Sequence, residues 1–213
     1  MKKVILIMLA IIFLLIFFMQ ITYKTVKTGN NITKSTDNII EYILNISSYE
    51  AEIEVIINSN KTSNKYILEQ YYIKSNYARQ IVKEPKSLEN LEIIYKNNNL
   101  EIKNTNLRLS KIYENYTYLN QNILWLSFVI DICNSERYTL EENNEEIILN
   151  FNIEKYNYKG KLYINIETKL PKKIEIMDNN NNNKVYIEYK EIKLNTIQEN
   201  NIFEMKIKNK EKV

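Results

Sequence analysis

A chain of 213 residues with 29 Lys and Arg against 26 Asp and Glu has room for one domain of ordinary size and a real core. At 45% hydrophobic and 26% charged residues it has the composition of a folded protein, and setting aside Lys2 and Lys3 leaves 27 basic against 26 acidic residues, so nucleic acid gains no electrostatic hold. Zero His, two Gly and one Cys exclude imidazole acid–base chemistry, a glycine-built phosphate loop, an internal disulfide and a thiolate metal site.

The chain is rich in Ile, Asn, Lys, Tyr and Glu, the bias of AT-rich coding. Many Asn and Lys positions are therefore expected to carry little structural information. Behind Lys2-Lys3, the stretch from Val4 to Tyr23 holds 20 uncharged residues, the length a helix needs to span the hydrocarbon core. The positive flank places the N-terminus inside and the remainder outside the cell membrane. A cleavable signal peptide is the competing reading, but MQITYKTVKTGNN after Phe18 has no Ala-x-Ala site and no Cys for lipid attachment. The expected organisation is an anchor or signal over residues 1–23, a polar linker over 24–34, a folded domain over 35–207 and a charged tail over 208–213.

Ser35, Thr36 and Asp37 offer a helix N-cap, and Ile39, Ile40, Ile43, Leu44 and Ile46 follow at helical spacing. From Tyr49 the period becomes two: Ala51, Ile53, Val55 and Ile57 alternate with Glu52 and Glu54. After the turn NSNKTSN, a long β region runs from Lys65 to Pro85, with strands beyond it at Leu91–Lys96, Leu100–Lys103 and Thr105–Tyr113 and a hairpin turn at Asn97–Asn99. Leu119–Cys133 breaks this pattern. The eleven residues from Ile123 hold only two polar members, too few residues for a membrane span, and read as a buried helix on the sheet. Alternation resumes with Ile147, Leu149, Phe151 and Ile153, then with Leu162, Ile164 and Ile166. Ile174 and Ile176 follow Pro171, DNNNNN turns the chain, and Val185, Ile187 and Tyr189 return. The apolar parity then slips to Ile192 and Leu194, as a β-bulge would require. The fold class is mainly β (α+β), a large curved antiparallel sheet covered by helices.

The chemical candidates reduce to structure. Cys133 ends an apolar helix with no His to activate it and reads as a core residue. Glu141, Glu142, Glu145 and Glu146 surround Asn143-Asn144 and read as a solvated loop rather than a carboxylate pair fixed across a cleft. Asp178, Asn180 and Asn182 match the start of a calcium loop, but Asn183 replaces its Gly and Tyr189 its Glu. No catalytic, cofactor-binding or metal-binding residue is expected. The abundant Tyr, 17 in all, suits strands and a protein-binding surface.

The stretch LPKKIEIMDNNNNNKVYIEYKEIKLNTIQENNIFEMKI, Leu170 to Ile207, resembles the closing strands of the LolA/LppX-like lipoprotein carriers: Leu-Pro before a strand, an Asp-led turn, a return strand and a last strand with Phe. YARQIVKEP, Tyr77 to Pro85, and SYEAEIEV after the first helix resemble the same group, most of all the GerS-type spore germination lipoproteins of clostridia. The resemblance implies a half-barrel sheet and a non-catalytic role in germination, in which the protein binds and activates a CwlD-like peptidoglycan amidase. It departs from that type in lacking a lipobox Cys, so an N-terminal helix would hold the membrane in place of a lipid. A carrier of lipid or lipoprotein is the alternative, with Leu124, Trp125 and Phe128 lining or plugging the cavity. Both readings put the domain on the extracytoplasmic side of the cell membrane or in the spore envelope.

Overall fold

The computed structural model describes residues 34–59, 61–74, 77–116, 122–135 and 138–197. The expected membrane segment, the linker up to residue 33, the last strand at 202–207 and the tail lie outside these residues. No helix among the described residues is long and apolar enough to cross a membrane.

Helix α1 (Lys34–Leu44) buries Ile39, Ile40, Ile43 and Leu44 along one side. Ser35, Thr36 and Asp37 do not cap it; they already lie within it. Thr36 is buried, and its hydroxyl donates to Glu142 Oε2 at 2.9 Å. Ile46, expected at the helix end, lies beyond it and is still buried.

Strands β1 (Ser48–Asn58), β2 (Ser63–Ile73), β3 (Tyr77–Glu84), β4 (Leu91–Lys96), β5 (Asn99–Asn104) and β6 (Leu109–Tyr113) follow as an antiparallel meander. The long β region expected from Lys65 to Pro85 is two strands paired as a hairpin, β2 ending at Ile73 and β3 opening at Tyr77. The strand expected from Thr105 starts only at Leu109, because Asn104 Oδ1 accepts the Leu107 N–H at 3.1 Å and folds the chain over. Helix α2 (Leu126–Ser135) leads to a second meander: β7 (Thr139–Glu142), β8 (Glu146–Ile153), β9 (Tyr158–Asn165), β10 (Pro171–Met177) and β11 (Asn183–Leu194). Pairing of β1 with β11 joins the two meanders into one 11-stranded sheet ordered β6-β5-β4-β3-β2-β1-β11-β10-β9-β8-β7.

The acidic loop expected around Asn143-Asn144 is smaller than its charges suggest. Glu141 and Glu142 belong to β7 and Glu146 opens β8, so only Glu145 shares the turn with the two Asn. Alternation continues through the glutamates, which the apolar pattern did not reveal. Ile166, expected on the Leu162–Ile164 face, lies past the end of β9. The parity slip of β11 is a bulge: Glu52 faces Glu191 while Ile53 faces Tyr189, leaving Lys190 extra.

One face of the sheet is apolar and lies under α1 and α2. Ile53, Val55, Ile147, Leu149, Leu162, Ile164, Ile174, Ile176 and Ile187 are all buried there, each worth about 1.5–3 kcal/mol relative to exposure. Asn does the turning that Gly does elsewhere. Of nine non-Gly residues with positive φ among the described residues, seven are Asn, and Gly160 takes no such conformation. The Asn-rich bias thus has structural content that composition did not reveal. Asn97 and Asn98, at φ 51° and 62°, make the two-residue turn between β4 and β5.

Candidate binding surface

Sequence patterning placed Leu124, Trp125 and Phe128 in the buried helix. Leu124 and Trp125 instead form the turn that enters α2, held by Asn122, whose Oδ1 accepts the Leu124 N–H at 3.0 Å and whose carbonyl accepts that of Trp125 at 3.2 Å. Trp125 is fully buried, Phe128 nearly so, and Leu124 half-buried. Leu126 and Val129, which follow at helical spacing, are buried as completely as Trp125.

The turn is tied to the sheet by polar groups. Gln70 on β2 and Gln80 on β3 stand opposite one another on the inner face, and both are buried. Gln70 Nε2 donates to Gln80 Oε1 at 3.0 Å and to the Leu124 carbonyl at 3.1 Å. Tyr49 donates to Gln70 Oε1 at 3.4 Å, stacks on Tyr72 with ring centres 5.3 Å apart, and lies 6.5 Å from the Trp125 ring. Removing one partner from such a buried group costs about 1–3 kcal/mol, so the network fixes where Trp125 sits. Alternating apolar patterns carry no sign of it; two Gln at inward strand positions were the available signal.

Burial sets the electrostatics. It drives the Tyr72 hydroxyl up to about 12, aided by the nearby Asp131 charge. Tyr49 and Tyr189 are raised by burial as well, so the cluster stays neutral through the physiological range. Asp131, on the outer side of α2, is raised by partial desolvation, which the charge of Lys74 offsets in part.

Past β3 the cover thins. The inward residues Leu91, Ile93, Tyr95 and Ile102 are half-buried, and Leu109 is 62% exposed. The exposed Tyr are not gathered in one surface. Tyr42 lies on α1, Tyr156 lies before β9, and Tyr113 and Tyr116 lie together by β6 with ring centres 6.1 Å apart. On the opposite face, Glu69, Glu52 and Glu191 stand in register across β2, β1 and β11 and line a depression of about 190 Å³.

The remaining candidates are structural parts. Cys133 is buried and free of any disulfide. Asp178 holds the β10–β11 turn: its carboxylate accepts the N–H groups of Asn180 and Asn182 at 2.9 Å, the Asn182 amide at 3.1 Å and Lys184 Nζ at 3.1 Å. These bonds, those from Asn182 first, bring it down to about 2. Among the described residues, no group of three or more Cys, Asp or Glu could hold a metal ion.

Residues 2–203 match the family described as sporulation protein YdcC-like. The chain belongs to this family. The sporulation kinship expected from Tyr77–Pro85 and Leu170–Ile207 is met by this family. An uncharacterized conserved protein from Thermus thermophilus shares the fold, at TM-score 0.52 and 12% identity, with 78% of this chain and 91% of that one covered. A chain in the structure of the CwlD amidase from Clostridioides difficile in complex with the GerS lipoprotein aligns at 24% identity and TM-score 0.46, covering 77% and 97%. A LolA superfamily protein from Nitrosomonas europaea aligns at 14% identity and TM-score 0.41, covering 77% and 95%. No curated protein sequence matches the chain.

Proposed function

We propose that this YdcC-like protein is a non-catalytic binding module held at the outer face of the membrane by residues 1–23. In sporulation it would bind and activate a CwlD-like peptidoglycan amidase. The observation that carries the non-carrier part is the filled inner face: Trp125, Leu126 and Val129 are fully buried where a carrier would hold its cargo, and Gln70 ties the turn before them to the sheet. A lipid cargo needs an apolar cavity, commonly hundreds of cubic ångströms. On this reading Leu124, Trp125 and Phe128 are the plug. The amidase as partner rests on the resemblance of Tyr77–Pro85 and Leu170–Ile207 to GerS-type proteins, and the sporulation setting on family membership.

A second reading, a lipid or lipoprotein carrier, is favoured by one observation: Leu91, Ile93, Tyr95 and Ile102 on the inner face of β4 and β5 are only half covered. Affinity purification of the full chain from sporulating cells, with amidase assays and mass spectrometry of bound lipid, separates the two. Co-purification of an amidase whose activity rises with the chain supports the module. Stoichiometric lipid without an amidase supports the carrier. An amidase fully active alone, with none captured, ends the first reading.

A further inference from the structure

The open sheet has two outer strands, and they are built differently. β7 has four residues, two of them Glu, and the Glu142 carboxylate is already engaged by α1. Short length and charge are how natural sheets blunt an edge. β6 is exposed along its whole length, and Leu109 and Ile112 are each 62% exposed. No described strand pairs with its outer side.

The backbone of that side can be assigned. The two-residue Asn97–Asn98 turn makes Lys96 and Asn99 a hydrogen-bonded pair, and bonding then alternates along each strand. Leu100, Ile102 and Asn104 therefore turn their polar groups toward β6, where they meet Tyr113, Lys111 and Leu109. Ser110 and Ile112 direct theirs outward. An open row of donors and acceptors takes an extended strand.

The side chains fit one strand in particular, their own copy. Antiparallel pairing of two β6 edges about a twofold axis must centre on a residue, since opposite residues share a face. Centring on Lys111 sets lysine against lysine. Centring on Ser110 brings in Arg108, whose φ of 52° is not that of a strand. Centring on Ile112 sets Ile112 against itself, Ser110 against Glu114, and Lys111 against Tyr113 of the second copy. Lys111 Nζ already lies 4.8 Å from the ring centre of its own Tyr113, so it would sit between two rings. We propose that two copies of this chain pair through β6, antiparallel, with Ile112 on the twofold axis. Such an interface is closed and isologous.

The test uses the full chain in detergent. Paired residues at a hydrogen-bonded site lie about 5.5 Å apart between Cα atoms, within disulfide range. Mild oxidation of Ile112→Cys is expected to give a two-chain band, whereas Thr139→Cys on β7 gives none. The native Cys133 is buried and common to both. Light scattering is expected to read two chains for the wild type and one for Ile112→Lys, with far-UV circular dichroism unchanged because the site is exposed. A single-chain wild type, no cross-link through Ile112→Cys, a cross-link through Thr139→Cys, or a dimer that survives Ile112→Lys would each overturn the proposal.

Discussion

The inner face of the sheet has two halves made from the same kind of sequence. From β8 through β11 and β1 to β3 the inward side chains lie mostly under helices and are buried, whereas from β4 to β6 Leu100 and Asn104 are buried but Leu91, Ile93, Tyr95 and Ile102 are only half-buried and the inward residues of β6 are exposed. Period-two alternation sets which face a residue joins, but a second layer decides whether that face becomes a core. Here α1 and α2 supply the layer, and their combined length cannot cover eleven strands. The uncovered half is where a surface remains available for a partner.

Trp125→Ala attacks the covered half at its centre. It should cost about 3–5 kcal/mol and lower the melting temperature sharply, because the ring is wholly enclosed. A loss below about 1 kcal/mol by urea denaturation would mean that the two halves do not differ in packing. Gly160→Ala tests the same half by overfilling. A Cβ there runs into the Phe151 ring, so a loss of about 1–3 kcal/mol is expected. Phe151→Leu in the same chain should recover part of it by removing the ring.

A smaller effect comes from Asp131 on α2, whose carboxyl is raised by partial desolvation. A group with a raised folded pKa binds its proton more tightly when folded, so stability falls as pH rises from the ordinary carboxylate value to the raised one. Asp131→Asn should therefore melt higher than the wild type at pH 7, and the gain should vanish at pH 3. A constant gain across that range would assign it to something other than the charge. The smallest effect belongs to the open half: Leu109→Ser should stay within about 0.5 kcal/mol of wild type. A large loss there would show that β4–β6 carry a core after all.

Alternation alone revealed most of the strands and the slip in β11, since each inward Ile has only one face to join. The half-coverage was not legible, because it depends on where α1 and α2 lie rather than on any strand's own residues. Trp125 and Phe128 were legible as buried from apolarity. The bonding of Gln70 and Gln80, which hold the turn before α2, was not, since alternation puts both inward but does not say what they meet there. The Asn turns at Asn97–Asn99 and in DNNNNN were legible, whereas single Asn at positive φ such as Asn90, Asn157 and Asn195 were passed over as coding bias, although φ values above zero in a chain with two Gly must fall largely to Asn.

The extra residue in β11 has a consequence for engineering. Deleting Lys190 would join Tyr189 to Glu191 and restore an unbroken in–out order through Leu194, so no greasy side chain would be turned to water. The shortened strand would nonetheless lose the local coil that the insertion imposes beside β1, and the seam between the two meanders would flatten. Lys190 is thus redundant for face assignment and specific for shape, and its removal would flatten the seam without rewriting a single inward position.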